Sequence, residues 1–307
     1  MNSINEVKPN LKRVVIRKVW ASNLEYEFLL IRGLIDRFPF ISMDTEFPGV
    51  IFKPSEPHNH RNLSSSDNYR LIKSNVDVLN LIQVGLTLSD AAGNLPDLGT
   101  GGSSFIWEFN FRDFNLSCDA HAPDSIELLR RQGIDFVRNA AEGIDSVRFA
   151  QLMMWSGILC NDAVTWVTFH PAYDFAYLVK ILTRQSLPTC MEDFLNIVRV
   201  LFGNNIYDIK YLMLFCNGLY GGLERIAQTL HLDRATGKCH QAGSDSLLTM
   251  HAFVKIIEIY FGKDEHKKHV NILYGLENQV DHLSSQYCLN EVEYLVIVEE
   301  LYQLNEC

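Results

Sequence analysis

Apolar and polar residues alternate in three short stretches of the first third of the chain, which is typical of half-buried strands. The stretches are residues 40–46, 81–88 and 105–111. A loop rich in Gly, Pro and Asp, residues 90–102, separates the second from the third. Strand, loop and strand in this order predict an antiparallel meander.

One amphipathic helix is expected before the first strand. Ser22 and Glu25 match a capping box, Leu24, Phe28, Ile31 and Ile35 follow near-helical spacing, and Pro39 is expected to end the helix. Residues 53–75 are polar and contain prolines and a serine run, so they predict a long loop.

The second half alternates helical patterns with one short apolar strand, residues 164–169. Helices are predicted at 123–131, from Ser146 through Met153, from near Asp174 to 182, and at 189–202, 209–217, 222–230 and 244–261. A meander followed by alternating helices and strands predicts an α/β fold with a mixed central sheet flanked by helices. We expect a disordered N-terminus (1–10), one domain (11–277) and a C-terminal extension (278–307) predicted to be helical.

Composition indicates a chain kept inside the cell. No stretch reaches the roughly 18 uninterrupted apolar residues of a membrane helix, and the polar N-terminus lacks the apolar core of a signal peptide. The 7 cysteines are an odd number without a C-x-x-C pair, which favours free thiols. A net charge of −10 counts against a broad basic nucleic-acid surface but not against an acidic metal site.

Five residues at element ends are candidates for chemistry. Asp44 and Glu46 share one face of the first predicted strand, Asp174 opens a helix, and His240 precedes Asp245 at the start of another helix. Each has an ordinary structural interpretation when taken alone, as a solvated charge, a helix cap or a surface histidine. The set, in this order, matches the arrangement of DEDD exonucleases whose general base is histidine; Gln241 stands where the tyrosine variant has its base.

Four carboxylates in one cleft require compensation. Two unit charges about 4 Å apart repel by about 4 kcal/mol at an effective dielectric near 20, so the group takes up protons or divalent cations. Oxygen ligands select Mg²⁺ or Mn²⁺, and two such ions can promote phosphodiester cleavage.

The sequence around these residues resembles the Caf/Pop family of deadenylases, the DEDD-type catalytic subunits of the Ccr–Not complex. The resemblance runs from about residue 12 to Gly275 and is strongest in residues 44–49, 169–175 and 240–249. Within the family, the sequence looks most similar to plant members. It implies an RNase H-like fold, two divalent ions, and 3′–5′ shortening of poly(A) RNA with release of 5′-AMP.

The resemblance also implies a role for each candidate. Asp44 is expected to bridge both metals, and Glu46 and Asp245 to hold the metal that activates water. Asp174 is expected to support the second metal, and His240 to accept the proton of the attacking water. Pro171 and Ala176, on either side of Asp174, differ from the family's usual residues and could displace its carboxylate.

Partners and localisation follow from the same resemblance. It implies docking to the large Not scaffold and to a second deadenylase, in the cytoplasm and the nucleus. The helix carrying Leu152, Met153 and Met154 matches the scaffold-binding region, although its apolar face fits a buried core equally well. Two alternatives stay open: a general 3′–5′ exonuclease, in which Phe47 and Tyr173 stack on bases or are merely core aromatics, and a scaffold subunit with weak catalysis.

Overall fold

The computed structural model describes residues 13–54 and 63–277. The predicted disorder of residues 1–10 and the predicted helix within 278–307 lie outside these ranges, and the assignment of 11–277 to one domain stays a prediction.

Six strands of the described chain form one mixed sheet. They are β1 (Arg13–Val19), β2 (Phe40–Glu46), β3 (Gln83–Ser89), β4 (Ser103–Asn110), β5 (Thr165–Thr168) and β6 (Ile206–Asp208), in the order β1-β4-β3-β2-β5-β6. β3 pairs antiparallel with both β2 and β4, which confirms the meander. β1 runs parallel to β4, β5 parallel to β2, and β6 parallel to β5. The α/β class with a mixed central sheet is therefore confirmed.

Helices flank the sheet. They are α1 (Leu24–Leu34), α2 (Ser65–Val78), α3 (Pro123–Gln132), α4 (Phe136–Glu142), α5 (Ser146–Trp155), α6 (Ala172–Thr183), α7 (Met191–Phe202), α8 (Ile209–Leu212), α9 (Leu223–Thr229) and α10 (Ala242–Tyr260), with short 3-10 helices at Met213–Phe215 and Glu265–His269. α10 lies across β2 and β3. Side chains alternate between the faces of a strand, so the even-numbered residues of β2 point to α10 and its odd-numbered residues to the opposite layer.

The core of that opposite layer is aromatic. Phe28 of α1 and Phe149 of α5 pack edge to face, and both contact Phe109 of β4 at 5.2 Å between ring centroids. All three rings are fully buried. Truncating one such ring to alanine is expected to cost about 3–5 kcal/mol of unfolding free energy, so this cluster fixes α1 and α5 against the sheet.

The predicted helix starts need two corrections. α1 begins at Leu24 after Asn23, not from a Ser22–Glu25 capping box, and Asn23 Oδ1 accepts from the Trp20 amide instead. α1 also ends at Leu34, before Pro39. At α5 the cap is Asp145, whose carboxylate accepts from two amides of the first turn, and not Ser146. At both helices the N-cap position is occupied by a neighbour of the predicted residue: Asn23 stands there instead of Ser22, and Asp145 instead of Ser146.

The prediction of a loop over residues 53–75 is wrong in its second half. Ser64 caps α2 by accepting from the Asp67 amide, and the helix buries Tyr69, Ile72 and Val76. These apolar residues follow helical spacing, but polar neighbours hide them in the sequence. β1, α4, β6 and the 3-10 helix Glu265–His269 were also not predicted.

Two predictions from composition have structural counterparts in the described ranges. The five cysteines located there, Cys118, Cys160, Cys190, Cys216 and Cys239, are free. No helix within residues 13–54 and 63–277 is long and apolar enough to cross a bilayer.

Candidate active site

β2 carries the first two candidates to the middle of the sheet. Asp44 faces Gly85 of β3 in the ladder, and Glu46 faces Gln83 at the strand end. Both point to the α10 side, because Ser42 on the same face donates a 2.7 Å hydrogen bond from Oγ to the backbone oxygen of Ser246. Asp44 is half-buried and Glu46 is buried.

α10 brings the next pair against them. Asp245 lies in its first turn, and His240 lies on the preceding loop with φ of 58°. The His240 amide donates to Asp245 Oδ2 at 2.8 Å, and His240 Nδ1 is 4.0 Å from Glu46 Oε1. The imidazole therefore stands beside the carboxylates while remaining nearly half-exposed, at 45%.

Gly85 allows this close approach. A Cβ built on Gly85 would lie 1.9 Å from the backbone oxygen of Ala242, the first residue of α10. Only a residue without a side chain leaves room for this turn of α10 to rest on β3.

Asp174 reaches the same place from the other layer. It lies in the first turn of α6, and its Oδ1 accepts a 2.6 Å hydrogen bond from Thr45 Oγ1. Pro171 occupies the N-cap position of the helix without a capping hydrogen bond from its side chain, and Ala176 is fully buried. The two substitutions are therefore accommodated with Asp174 still directed toward β2.

The structure brings all the acidic candidates into one electrostatic group. Carboxylate oxygens of Asp44, Glu46 and Asp245 lie within 4.8 Å of one another. Asp174 is outside that tight set, but its charge still helps to raise the pKa values of Asp44 and Glu46.

Burial and mutual repulsion disfavour the ionised forms of these acids. Burial is the main cause that raises the pKa of Asp44 and Glu46 well above their usual range, and the charge of Asp245 comes next. Burial raises the pKa of Asp174 to about 6, although the hydrogen bond from Thr45 opposes the shift. Burial also raises the pKa of Asp245, against the attraction of Arg234.

Arg234 is the cation paired with the cluster. Its Nη2 is 2.7 Å from Asp245 Oδ1 and also pairs with Glu224. The Asp245 contact is close but poorly aligned, so Oδ1 is buried without a hydrogen bond of good geometry. Sequence reasoning missed Arg234, and no sequence signal links it to Asp245.

A second set of missed residues holds the start of α10. Gln83 Oε1 accepts from the Ala242 amide, and Gln83 Nε2 donates to Asn110. Glu108 is buried beside Gly243; burial raises its pKa, while Lys18 and the Gly243 amide oppose the shift. The sequence signal that could have identified Gln83 and Glu108 is a polar residue within an otherwise apolar strand.

The donor set fits divalent cations. It consists of carboxylate oxygens, which suit hard ions such as Mg²⁺ and Mn²⁺. The buried Asp245 Oδ1 has lone-pair capacity left over, and the acids repel one another when ionised. A bound cation would contact the buried Asp245 Oδ1 and would offset the repulsion between the ionised acids.

Phe47 and Tyr173 lie at the edge of this group. Their rings stack with centroids 5.2 Å apart, and Phe47 also contacts Tyr177 at 5.1 Å. Both are partly buried against the main core. Their packing is that of core aromatics, with one part of each ring left accessible.

The sequence matches a known ribonuclease family. The profile of the CAF1 family ribonucleases matches residues 19–152. A probable CCR4-associated factor 1 homolog of Arabidopsis thaliana is 55% identical over 264 residues, which are 86% of this chain and 92% of the relative. The chain belongs to the CAF1 ribonuclease family.

Two further relatives extend the comparison to solved structures. The poly(A) ribonuclease pop2 of Schizosaccharomyces pombe is 45% identical over 85% of this chain and 75% of its own length. The structure of S. pombe Pop2p in its Mg²⁺- and Mn²⁺-bound form superposes with a TM-score of 0.77 over 85% of this chain and 99% of that one. Yeast CAF1, crystallised with the NOT1 MIF4G domain, is 34% identical with a TM-score of 0.67, over 85% and 96% of the two chains.

These matches confirm the family resemblance and the RNase H-like fold. They also confirm that the chain is a nuclease by family. The roles of the individual site residues stay predictions.

Proposed function

We propose that this chain is a metal-dependent 3′–5′ exoribonuclease that shortens poly(A) tails and releases 5′-AMP. The observation that carries the proposal is the convergence of Asp44, Glu46, Asp174 and Asp245 around the central strand β2, with His240 beside them. Membership of the CAF1 family and similarity to a poly(A) ribonuclease support the substrate.

Each carboxylate has a proposed role. Asp44 is proposed to bridge two divalent ions, because the charges of Asp245 on α10 and of Asp174 on α6 both act on its carboxyl group. Glu46 and Asp245, which share the tight set with Asp44, would hold one ion, and Asp174 would support the other. The two proposed ions are Mg²⁺ or Mn²⁺. When bound, they would supply positive charge that favours ionisation of water and stabilises the leaving oxygen.

His240 is the proposed general base. Its ring is near Glu46 and partly open to solvent, and the hydrogen bond from its backbone amide to Asp245 fixes the main chain that carries the ring. Those contacts leave the imidazole able to accept a proton from the attacking water.

We also propose that the chain is a subunit of a Ccr–Not-type assembly. A relative was crystallised with the NOT1 MIF4G domain, and another is named a CCR4-associated factor. We therefore propose a Not scaffold and a second deadenylase as partners, in the cytoplasm and also the nucleus.

The helix predicted to bind the scaffold offers a specific surface. Leu152 and Met153 are buried in the core and Met154 packs partly buried against it, so we propose the docking contacts elsewhere on this helix. The exposed apolar residues are Trp155 on α5 and Tyr26 and Leu29 on the adjoining α1. An ion pair from Arg148 to Glu25 and the Arg32 guanidinium, 3.9 Å from the Trp155 ring centroid, join the two helices. We propose this α1–α5 surface as the docking face.

One experiment tests the activity. The purified chain is incubated with 5′-labelled RNAs that end in oligo(A), oligo(C) or oligo(U) tails of equal length, with Mg²⁺, Mn²⁺ or EDTA. The proposal requires metal-dependent shortening from the 3′ end, fastest on oligo(A). Equal rates on the three tails would favour the general exonuclease, and no turnover with either Mg²⁺ or Mn²⁺ would favour the scaffold alternative.

A further inference from the structure

Cys239 extends the site beyond its oxygen ligands. Its thiol, a ring nitrogen of His240 and a carboxylate oxygen of Asp245 all lie within 4.8 Å of one another. The bond from the His240 amide to Asp245 Oδ2 holds this loop against α10. Two of the three residues are also candidates for catalysis, whereas Cys239 has no place in the proposed reaction.

We propose that Cys239, His240 and Asp245 form a second, inhibitory site for Zn²⁺ that overlaps the catalytic set. The inhibitory consequence rests on the proposed function, but the binding itself does not. The site would be exclusive with catalysis because it shares His240 and Asp245 with the catalytic set.

The donor atoms argue for this ion. Sulfur, imidazole nitrogen and carboxylate oxygen are the ligands that Zn²⁺ takes in tetrahedral sites, and three protein ligands leave a fourth position for water. The all-oxygen set of Asp44, Glu46 and Asp245 instead suits Mg²⁺ or Mn²⁺. One carboxylate thus belongs to two sites of different metal preference.

The charges around the thiol favour a cation. Glu224 and Asp245 both lie near Cys239, and Arg234 is the basic residue that pairs with both of them. On coordination the thiol would release its proton to solvent and bind as thiolate. An incoming ion would compete with Arg234 for Asp245 Oδ1, which lies 2.7 Å from the guanidinium.

A redox role for this thiol is less well supported. Burial, followed by the charges of Asp245 and Glu224, raises the pKa of Cys239 to about 11. Reactive cysteines have the opposite shift, because the free thiolate is the nucleophile, whereas a Zn²⁺ ion would itself drive deprotonation of the thiol on coordination.

Binding of Zn²⁺ would remove two catalytic functions together. The ring nitrogen that binds the ion could no longer accept a proton, and Asp245 would be drawn from the oxygen set. Zn²⁺ is therefore expected to inhibit hydrolysis driven by Mg²⁺.

The test uses the full chain and two cysteine variants. Cys239→Ser removes the sulfur ligand. Cys190→Ser is the matched control, because Cys190 Sγ also contacts a carboxylate, that of Glu192 at 2.5 Å, but has no place in the cluster with His240. Metal-depleted proteins are titrated with Zn²⁺ against a chromophoric chelator and with Cd²⁺ while the ultraviolet thiolate charge-transfer band is recorded. Zn²⁺ inhibition is then measured at fixed Mg²⁺.

We expect one tight Zn²⁺ and a cadmium–thiolate band in the wild type and in Cys190→Ser. In Cys239→Ser the band should be lost, and half-inhibition should need at least about tenfold more Zn²⁺, with the rate in Mg²⁺ alone unchanged. Equal Zn²⁺ affinity and an equal band in all three proteins would overturn the proposal. Absence of hydrolysis in Mg²⁺ would count against the proposed function alone, since the two binding titrations still decide the zinc site.

Discussion

Thr45 Oγ1 donates a 2.6 Å hydrogen bond to Asp174 Oδ1, across 129 positions of the sequence. Thr45 stands between Asp44 and Glu46 but points to the opposite face of β2. Both faces of one strand therefore serve the site: the even-numbered side presents carboxylates to α10, and the odd-numbered side orients a carboxylate of α6.

Removing that hydroxyl is expected to slow the enzyme. Thr45→Val keeps the shape of the side chain but leaves Asp174 free to rotate, so activity should fall about 10- to 100-fold, the usual cost of losing a partner of a metal-binding residue. Thr45→Ser should retain most of the rate, because it keeps the donor. Steady-state kinetics at several Mg²⁺ concentrations measure the effect.

Thr168→Val is the matched control for this substitution. Thr168 is also buried and donates its hydroxyl to a backbone oxygen, that of Tyr207, without touching a carboxylate. A similar loss of activity in both valine variants would mean that a general packing defect, and not Asp174, explains the result.

The sequence predicted much of the site because its residues lie at element ends. Alternation in β2 places Asp44 and Glu46 on one face, and the H-x-x-x-x-D spacing places His240 just before the helix that carries Asp245. Neither inference needs to know which elements meet in space.

The remainder depended on tertiary contacts. Arg234 pairs with Asp245 only because the loop before α10 folds back on it. β1 was not predicted because this strand lies at the edge of the sheet and keeps most residues partly exposed, so its apolar alternation is weak. Local pattern therefore predicts the proposed ligands, but not the residues that orient them.

The metal-free protein should become less stable as pH rises. The pKa values of Asp44, Glu46 and Asp245 are raised, and that of Asp174 is raised to about 6. A raised carboxyl pKa stabilises the fold below the unfolded value, here 3.8 for Asp and 4.5 for Glu, and that stability is lost as pH rises through the folded value. The melting temperature in EDTA should accordingly fall from about pH 4 upward, and Mg²⁺ should restore it at neutral pH.

Asp44→Asn isolates this effect from the rest of the molecule. Burial raises the pKa of Asp208 to about 7 with the same sign, whereas it lowers the pKa values of His170 and His251, which act in the opposite direction. These contributions cancel in the difference between variant and wild type. Asp44→Asn should abolish hydrolysis and be the more stable protein in EDTA above pH 6, with little response to Mg²⁺. Parallel melting curves across the pH range would refute the repulsion argument.

Gly85→Ala should damage both stability and activity. The new Cβ would meet the backbone oxygen of Ala242 at 1.9 Å, so the first turn of α10 must move and take Asp245 with it. Overpacking of this kind costs about 1–3 kcal/mol, and a displacement of about 1 Å at a reacting group can cost about 100-fold in rate. Denaturant unfolding and single-turnover kinetics give the two values.

Gly33→Ala serves as the control. Gly33 lies in α1, and a Cβ added there would meet nothing within 4 Å, so this change should stabilise the protein by about 0.5–1 kcal/mol without altering the rate. If both alanine variants behave alike, the contact with Ala242 is not limiting.

The α1–α5 surface should govern scaffold binding and leave catalysis intact. Leu29→Asp introduces a charge among exposed apolar residues, so affinity for a NOT1 MIF4G domain should fall by about tenfold or more. Isothermal titration calorimetry measures the affinity, and hydrolysis of oligo(A) RNA is assayed in parallel. Val137→Asp is the control, because Val137 is 82% exposed on α4, a helix that carries none of the residues of this surface. Wild-type affinity in Leu29→Asp would place the docking face elsewhere.

His240 is the residue for which proton chemistry can be separated from structure. As a general base it should contribute about 10²–10⁴-fold to the rate, so His240→Ala is expected to lower kcat by that factor and to change KM much less. The wild-type rate should rise with pH on an ionisation that the variant lacks. His240→Asn should be equally slow, although asparagine tolerates the positive φ of 58° at this position well.

His231→Ala supplies the matched control, since His231 is exposed on a loop with nearly the same φ, 54°. Loss of rate in both alanine variants would point to backbone strain and not to lost proton transfer. His240→Ala within threefold of the wild type at pH 7, with an unchanged pH profile, would exclude the imidazole from the reaction. Because His240 touches Asp245 through its backbone amide, which every substitution except proline keeps, a slow variant with normal Mg²⁺ affinity identifies the imidazole itself as the base.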